Sequence, residues 1–131
     1  MPGDNVMPFP QRGPEKLSPT LQKIQDMKLN YTDAEYHAHV GQQSKTLGYD
    51  PIVTTKLAED SVLGALKTLV KVFFQPKGSN KLIGPEFVEM IRIVGNSLSR
   101  DEAIQSSENT ELFREALAEI KVRARKFDFN I

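Results

Sequence analysis

The sequence predicts an all-α domain: a compact bundle of about five to six helices, with an extended Pro-rich N-terminal arm and a short extended C-terminal tail. Three observations predict it. Apolar residues recur at helical spacing over most of residues 17–126, helix-capping residues stand before those stretches, and Pro/Gly clusters separate them. The 131 residues fit one domain.

Residues 1–16 read MPGDNVMPFPQRGPEK, and four prolines and two glycines exclude a helix or a central strand there. The arm still carries Val6, Met7 and Phe9, three apolar side chains on a chain stiffened by Pro8 and Pro10. A first helix is predicted over 17–28, with Ser18 as N-cap, Pro19 at the first helical position and Leu21, Ile24 and Met27 on one stripe. A second starts at the capping box Thr32-Asp33-Ala34-Glu35, buries Tyr36, Val40 and Leu47, and ends at Gly48 or Pro51.

The third helix, about 54–74, is apolar on most sides, through Leu57, Ala58, Val62, Ala65, Leu66, Leu69, Val70 and Phe73. Such a helix belongs at the centre of a bundle. Lys56, Asp60, Lys67 and Lys71 form its narrow polar stripe. Gln75 to Asn80 is a break. A fourth helix follows Gly84-Pro85, with Phe87, Val88, Met90, Ile91, Ile93, Val94 and Leu98 as its apolar residues and Gly95 as a candidate C-terminal cap. The run Ser99-Arg100-Asp101-Glu102 reads as a capping box for a short fifth helix. The last helix, about 109–126, faces inward through Leu112, Phe113, Ala116, Leu117 and Ile120. The tail Phe127-Asp128-Phe129-Asn130-Ile131 alternates strictly, as a strand or an extended docking peptide does.

Several function classes find no support. The absence of cysteine removes disulfides, thiolate metal sites and cysteine nucleophiles. The most apolar run, Val62 to Phe74, has 13 residues and contains Lys67 and Lys71, too short and too charged for the roughly 20 apolar residues of a membrane span. No secretory leader is visible, so a cytoplasmic location, or incorporation in a virion assembled there, is expected. His37 and His39 point about 200° apart on a helix and cannot share a metal, whereas Asp33 and His37 could share a surface hydrogen bond. The loop Lys77-Gly78-Ser79-Asn80-Lys81 lacks the spacing of a P-loop. No acid–base or nucleophile motif is present, and the carboxylates are placed on helix surfaces. The chain is expected not to be an enzyme and to use no cofactor, metal or small-molecule substrate.

Residues Tyr31 to Tyr49 faintly resemble a helix-turn-helix, with Gly41 at the turn and Ser44 capping a recognition helix. His37 stands where a small residue normally packs, Gln42 where an apolar one does, and Gly48 and Pro51 cut the second helix short. The net charge of zero argues against a nucleic-acid coat. It is nevertheless a sum of blocks. Residues 101–120 hold Asp101, Glu102, Glu108, Glu111, Glu115 and Glu119 against Arg114 alone, whereas 121–126 hold Lys121, Arg123, Arg125 and Lys126. Helix-dipole complementarity accounts for part of this pattern. Four bases in six residues exceed it, so Glu111, Glu115, Glu119, Lys121, Arg123, Arg125 and Lys126 are candidates for an electrostatic interface.

The ends of the sequence direct the functional reading. Val6, Met7, Phe9, Phe127, Phe129 and Ile131 sit on segments that cannot bury them locally, as in arms exchanged between subunits. The expectation is a structural or assembly subunit that docks on copies of itself or on other subunits of a larger particle, a virion head, connector or coat-associated protein being the concrete form. The alternative is a nucleic-acid-binding packaging or regulatory factor using residues 32–50 or the basic cluster 121–126.

Overall fold

The computed structural model describes residues 16–46, 50–74, 84–127 and 129, and among these the chain is all-α. Six helices follow in order among the described residues: α1 Pro19–Asp26, α2 Asp33–Thr46, α3 Pro51–Phe74, α4 Pro85–Arg100, α5 Glu102–Gln105 and α6 Thr110–Arg125. Helix α3 is the axis. Leu66, Leu69, Val70 and Phe73 are almost wholly buried among Leu21 and Ile24 of α1, Ile91 and Val94 of α4, and Phe113, Ala116 and Ile120 of α6.

The capping chemistry is as the sequence predicts at two starts. Ser18 Oγ accepts from Leu21 N at 3.2 Å ahead of Pro19. Thr32 and Glu35 exchange reciprocal bonds, Thr32 N donating to Glu35 Oε1 at 3.0 Å and Glu35 N to Thr32 Oγ1 at 3.2 Å. Elsewhere the boundaries differ. Pro51 does not stop the second helix but opens the third, because Asp50 Oδ1 accepts from Ile52 N at 2.9 Å and proline suits the first helical position. Gly95 lies inside α4 and caps nothing; a Cβ there would meet Leu117 Cδ2 at 3.7 Å, an ordinary contact, and the helix runs on to Arg100. Asp101, not Ser99, caps α5 by accepting from Ala103 N at 3.0 Å, while Ser99 Oγ bonds back to the Gly95 carbonyl. Of the apolar residues named for α4, Ile93 is 51% exposed.

Two larger corrections concern polar residues. The helix-turn-helix reading fails in the structure, since α2 is continuous from Asp33 to Thr46, straight through Gly41. None of its described side chains is buried, Val40 included, and Leu47 lies outside the described residues. Polar and ring contacts hold α2 instead: Tyr36 Oη lies 2.8 Å from Ser61 Oγ, and the Tyr31 and His39 ring centroids are 4.5 Å apart. His37 sets its ring edge-on to Tyr36 rather than bonding Asp33.

The expected polar stripe of α3 is exposed at Lys56 and Lys71 but not at Asp60. Asp60 is 6% exposed and Glu59 8%, so these carboxylates do not lie on the surface. Asp60 Oδ1 accepts from Asn30 N at 2.7 Å and Asn30 Nδ2 at 2.9 Å, and Oδ2 accepts from Tyr31 N at 2.9 Å. Glu59 Oε2 accepts from Ser107 Oγ and from Asn109 Nδ2. Lys67 Nζ donates to the Gln25 carbonyl at 2.7 Å, satisfying an orphan acceptor in the last turn of α1. The central helix therefore uses its few polar groups to fasten the α1–α2 link, the α5–α6 turn and the end of α1.

These fastenings give the helix directions. Gln25 at Lys67 and Asn30 at Asp60 make α1 antiparallel to α3. Asn109 at Glu59 and Arg123 at Phe73 make α6 run the same way as α3. Arg114 at the Leu98 carbonyl and Leu117 at Gly95 make α4 antiparallel to α6. One pole of the bundle thus gathers the start of α1, the end of α3, the start of α4 and the end of α6.

Candidate functional site at the bundle pole

The pole is built on Phe73 and Phe74, the last residues of α3. Phe73 is 2% exposed and completes the core, whereas Phe74 is half-buried. Helix α6 ends beside them at Arg125, and a tight turn follows in which Phe127 N bonds the Ala124 carbonyl at 3.0 Å. That turn reverses the chain onto Phe73, whose ring centroid lies 5.9 Å from that of Phe127 and 6.3 Å, edge to face, from that of Phe129. Both tail rings are half-buried on their own core. The sequence leaves these two rings to fold back on their own bundle or to dock on a neighbouring subunit, and the structure sets both against Phe73 of their own chain. The reason is tertiary: α6 runs alongside α3 and delivers its C-terminal turn to the ring of Phe73.

Arg123 joins the elements. Its Nε donates to the Phe73 carbonyl at 2.9 Å, one of the acceptors left open at the end of a helix. Its guanidinium carbon stands 5.2 Å from the Phe74 ring centroid and 5.7 Å from that of Phe127. Beside it opens a cavity of about 260 Å³ lined by Phe74, Glu119, Val122, Arg123 and Lys126. Replacing Arg123 by alanine is expected to lower unfolding stability by about 1–2 kcal/mol, through the lost carbonyl donor and the lost stacking. Lysine should restore little of this, because it lacks the planar face. Urea denaturation of the parent, Arg123→Ala and Arg123→Lys chains measures it. Parental stability in the Arg123→Lys chain would remove the stacking contribution.

The other charged candidates are separated around α6. Glu111 pairs with Arg114 at 2.7 Å, and Arg114 also reaches the Leu98 carbonyl. Glu115 is exposed. Lys121 points to the α4 side, where it lines a cavity with Val88, Ile91, Arg92 and Gly95. Arg125, four residues on, shares that side of the helix. Arg123 faces α3, and Lys126 stands with Val122 and Glu119 at the outer cavity. The run 121–126, contiguous in sequence, is thus divided between two sides of α6, with Lys121 and Arg125 toward α4 and Arg123 and Lys126 at the cavity beside Phe74. Val6, Met7, Phe9 and Ile131, and the loop 77–81, lie outside the described residues.

The opposite pole holds a cavity of about 450 Å³ lined by Pro51, Ile52, Thr55, Lys56, Ser106 and Glu108, above Glu59. Ser107, whose hydroxyl donates to Glu59, also accepts from Asn109 N at 3.0 Å, so the pair clasps the α5–α6 turn. Among the described residues no three His, Asp or Glu side chains are grouped as metal ligands, and no helix is long and apolar enough to cross a membrane. Exposed on α4, Arg92 is hydrogen-bonded to Glu89; this holds the Glu89 carboxyl below its ordinary value and raises the Arg92 guanidinium.

Sequence reasoning missed the anchoring roles of Phe74, Glu59 and Asp60. Their signals were present: two adjacent aromatics just before a Pro/Gly break, and two adjacent acids inside an otherwise apolar helix. No protein-family model, curated protein or solved structure matches the chain.

Proposed function

We propose that the chain is a structural or assembly subunit of a larger protein particle, engaging copies of itself or neighbouring subunits at the pole formed by the end of α3. A virion head, connector or coat-associated protein, assembled in the cytoplasm, is the concrete form of the reading. One observation carries it. Residues 17 and 18, which follow the Pro-rich arm, and the tail residues Phe127 and Phe129 belong to the same pole, beside a cavity lined by Phe74, Arg123 and Lys126 together with Glu119 and Val122. The arm's apolar residues Val6, Met7 and Phe9 precede this point in the sequence and are the proposed occupants of that surface on another copy. The division of the basic run 121–126 between two sides of α6 disfavours one phosphate-binding face, and with it the nucleic-acid reading.

The test is mass measurement in solution of the full chain and of a variant with Val6, Met7 and Phe9 all replaced by serine. The full chain is expected to form a defined oligomer, and the variant to dissociate with unchanged helicity. A full chain that stays monomeric at the highest concentration reached, or a variant that assembles equally well, overturns the reading. So does nucleic-acid affinity that falls steeply with salt and disappears in an Arg125→Glu chain.

A further inference from the structure

The outer face of α4 carries a charge pattern that the bundle does not use. Glu86, Ile93 and Arg100 are seven residues apart, so they stand in one column with only about 20° of drift per step. All three are exposed, and Ile93 keeps 51% of its surface in water. Next to Ile93 lies an open groove of about 220 Å³ floored by Val62, Ala65, Met90 and Val94. An isolated exposed isoleucine is ordinary. An isoleucine at the midpoint between an acid and a base, with an apolar groove alongside, is a pattern that fits its own copy.

We propose that this face pairs with the same face of a second copy, the two α4 helices running antiparallel about a two-fold axis at Ile93. The arrangement follows from the column. Reversing one helix against the other about Ile93 brings Glu86 opposite Arg100 of the second copy, and Arg100 opposite its Glu86. Each Ile93 then meets the groove of the other copy. Parallel pairing instead sets Glu86 against Glu86 and Arg100 against Arg100. The flanking charges Glu89 and Arg92 already satisfy each other within the chain and do not oppose the contact. Antiparallel helices also oppose their dipoles favourably. A symmetric contact closes at two copies, as isologous interfaces do. The surface is separate from the pole, and only its biological use rests on the assembly reading.

The test uses sedimentation equilibrium on the full chain. Glu86→Arg alone and Arg100→Glu alone are each expected to raise the dimer dissociation constant about ten-fold or more, by setting like charges opposite each other. Mixing these two chains in equal amounts should restore pairing as a heterodimer, and the double exchange Glu86→Arg/Arg100→Glu should restore the homodimer. Ile93→Asp should abolish pairing while the circular dichroism and melting temperature hold. Single variants that associate like the parent, or a mixture that stays unpaired, overturn the proposal. The arm variant separates the two surfaces. Pairing that survives serine at positions 6, 7 and 9 but not Glu86→Arg leaves the α4 contact standing whatever becomes of the pole.

Discussion

Replacing Phe73 by alanine is expected to destabilise the fold by about 3–5 kcal/mol, a large fraction of the roughly 5–15 kcal/mol that holds a typical domain. Phe73 is among the largest fully enclosed side chains of the bundle, at 2% exposure. It belongs to the core shared with α1, α4 and α6, and it is the platform for Phe127 and for Phe129. Truncation removes the transfer free energy of the ring, opens a cavity, and leaves the two tail rings without their partner. The lower loss at this site would be set by collapse: if Phe127 swings into the vacated space, the cavity term shrinks. Urea denaturation gives the magnitude, and limited trypsin cleavage after Arg125 and Lys126 gives the tail. Both should change together. A loss below about 1.5 kcal/mol with an unchanged cleavage rate would mean that the tail fills the space itself and that Phe73 is not the anchor.

The parts of this fold that could be read in advance are those decided by neighbours in sequence. Ser18 with Pro19, and Thr32 with Glu35, cap their helices through atoms three residues apart, and those bonds form as expected. The apolar periodicity of residues 57–73 likewise places α3 at the centre. Where two local readings compete, the apolar pattern alone does not decide. Pro51 can end one helix or begin the next, and Asp50 tips it to the second. Gly95 can cap or continue, and α4 runs on through it to Arg100. Residues 32–50 could break at Gly41, but nothing local demands a turn there, and the helix runs through. The candidate site was legible only in part. That Phe127 and Phe129 need an apolar surface follows from their spacing; that the surface is Phe73, more than fifty residues away, follows only from α6 running beside α3. The basic run 121–126 misleads for the opposite reason, because contiguity in sequence is dispersal on a helix.

The buried carboxylates are where the reading of α3 as merely striped breaks down, and substitution there separates a fastening from a surface charge. Asp60→Ala is expected to cost about 2–4 kcal/mol, since it strips acceptors from two backbone N–H groups and one side-chain amide at once. A surface acid changed to alanine typically costs within about 0.5 kcal/mol. Asparagine should not rescue Asp60. Both carboxylate oxygens accept, Oδ1 from Asn30 and Oδ2 from Tyr31, so an amide must turn its NH₂ toward one of these donors. The neighbouring Glu59 gives the contrast. Its bonds from Ser107 and Asn109 both end on Oε2, so Glu59→Gln keeps an acceptor for both and should cost only about 1 kcal/mol or less. Hydrogen exchange locates the effect as well as sizing it. The Asn30 and Tyr31 amides should lose protection in Asp60→Asn and keep it in Glu59→Gln, with α2 loosening along with them because the same link carries it. Equal losses for the two amide substitutions would mean that burial alone, and not the number of oxygens engaged, sets the cost. Retained protection at Asn30 and Tyr31 in Asp60→Asn would mean that other contacts hold the α1–α2 link against the core.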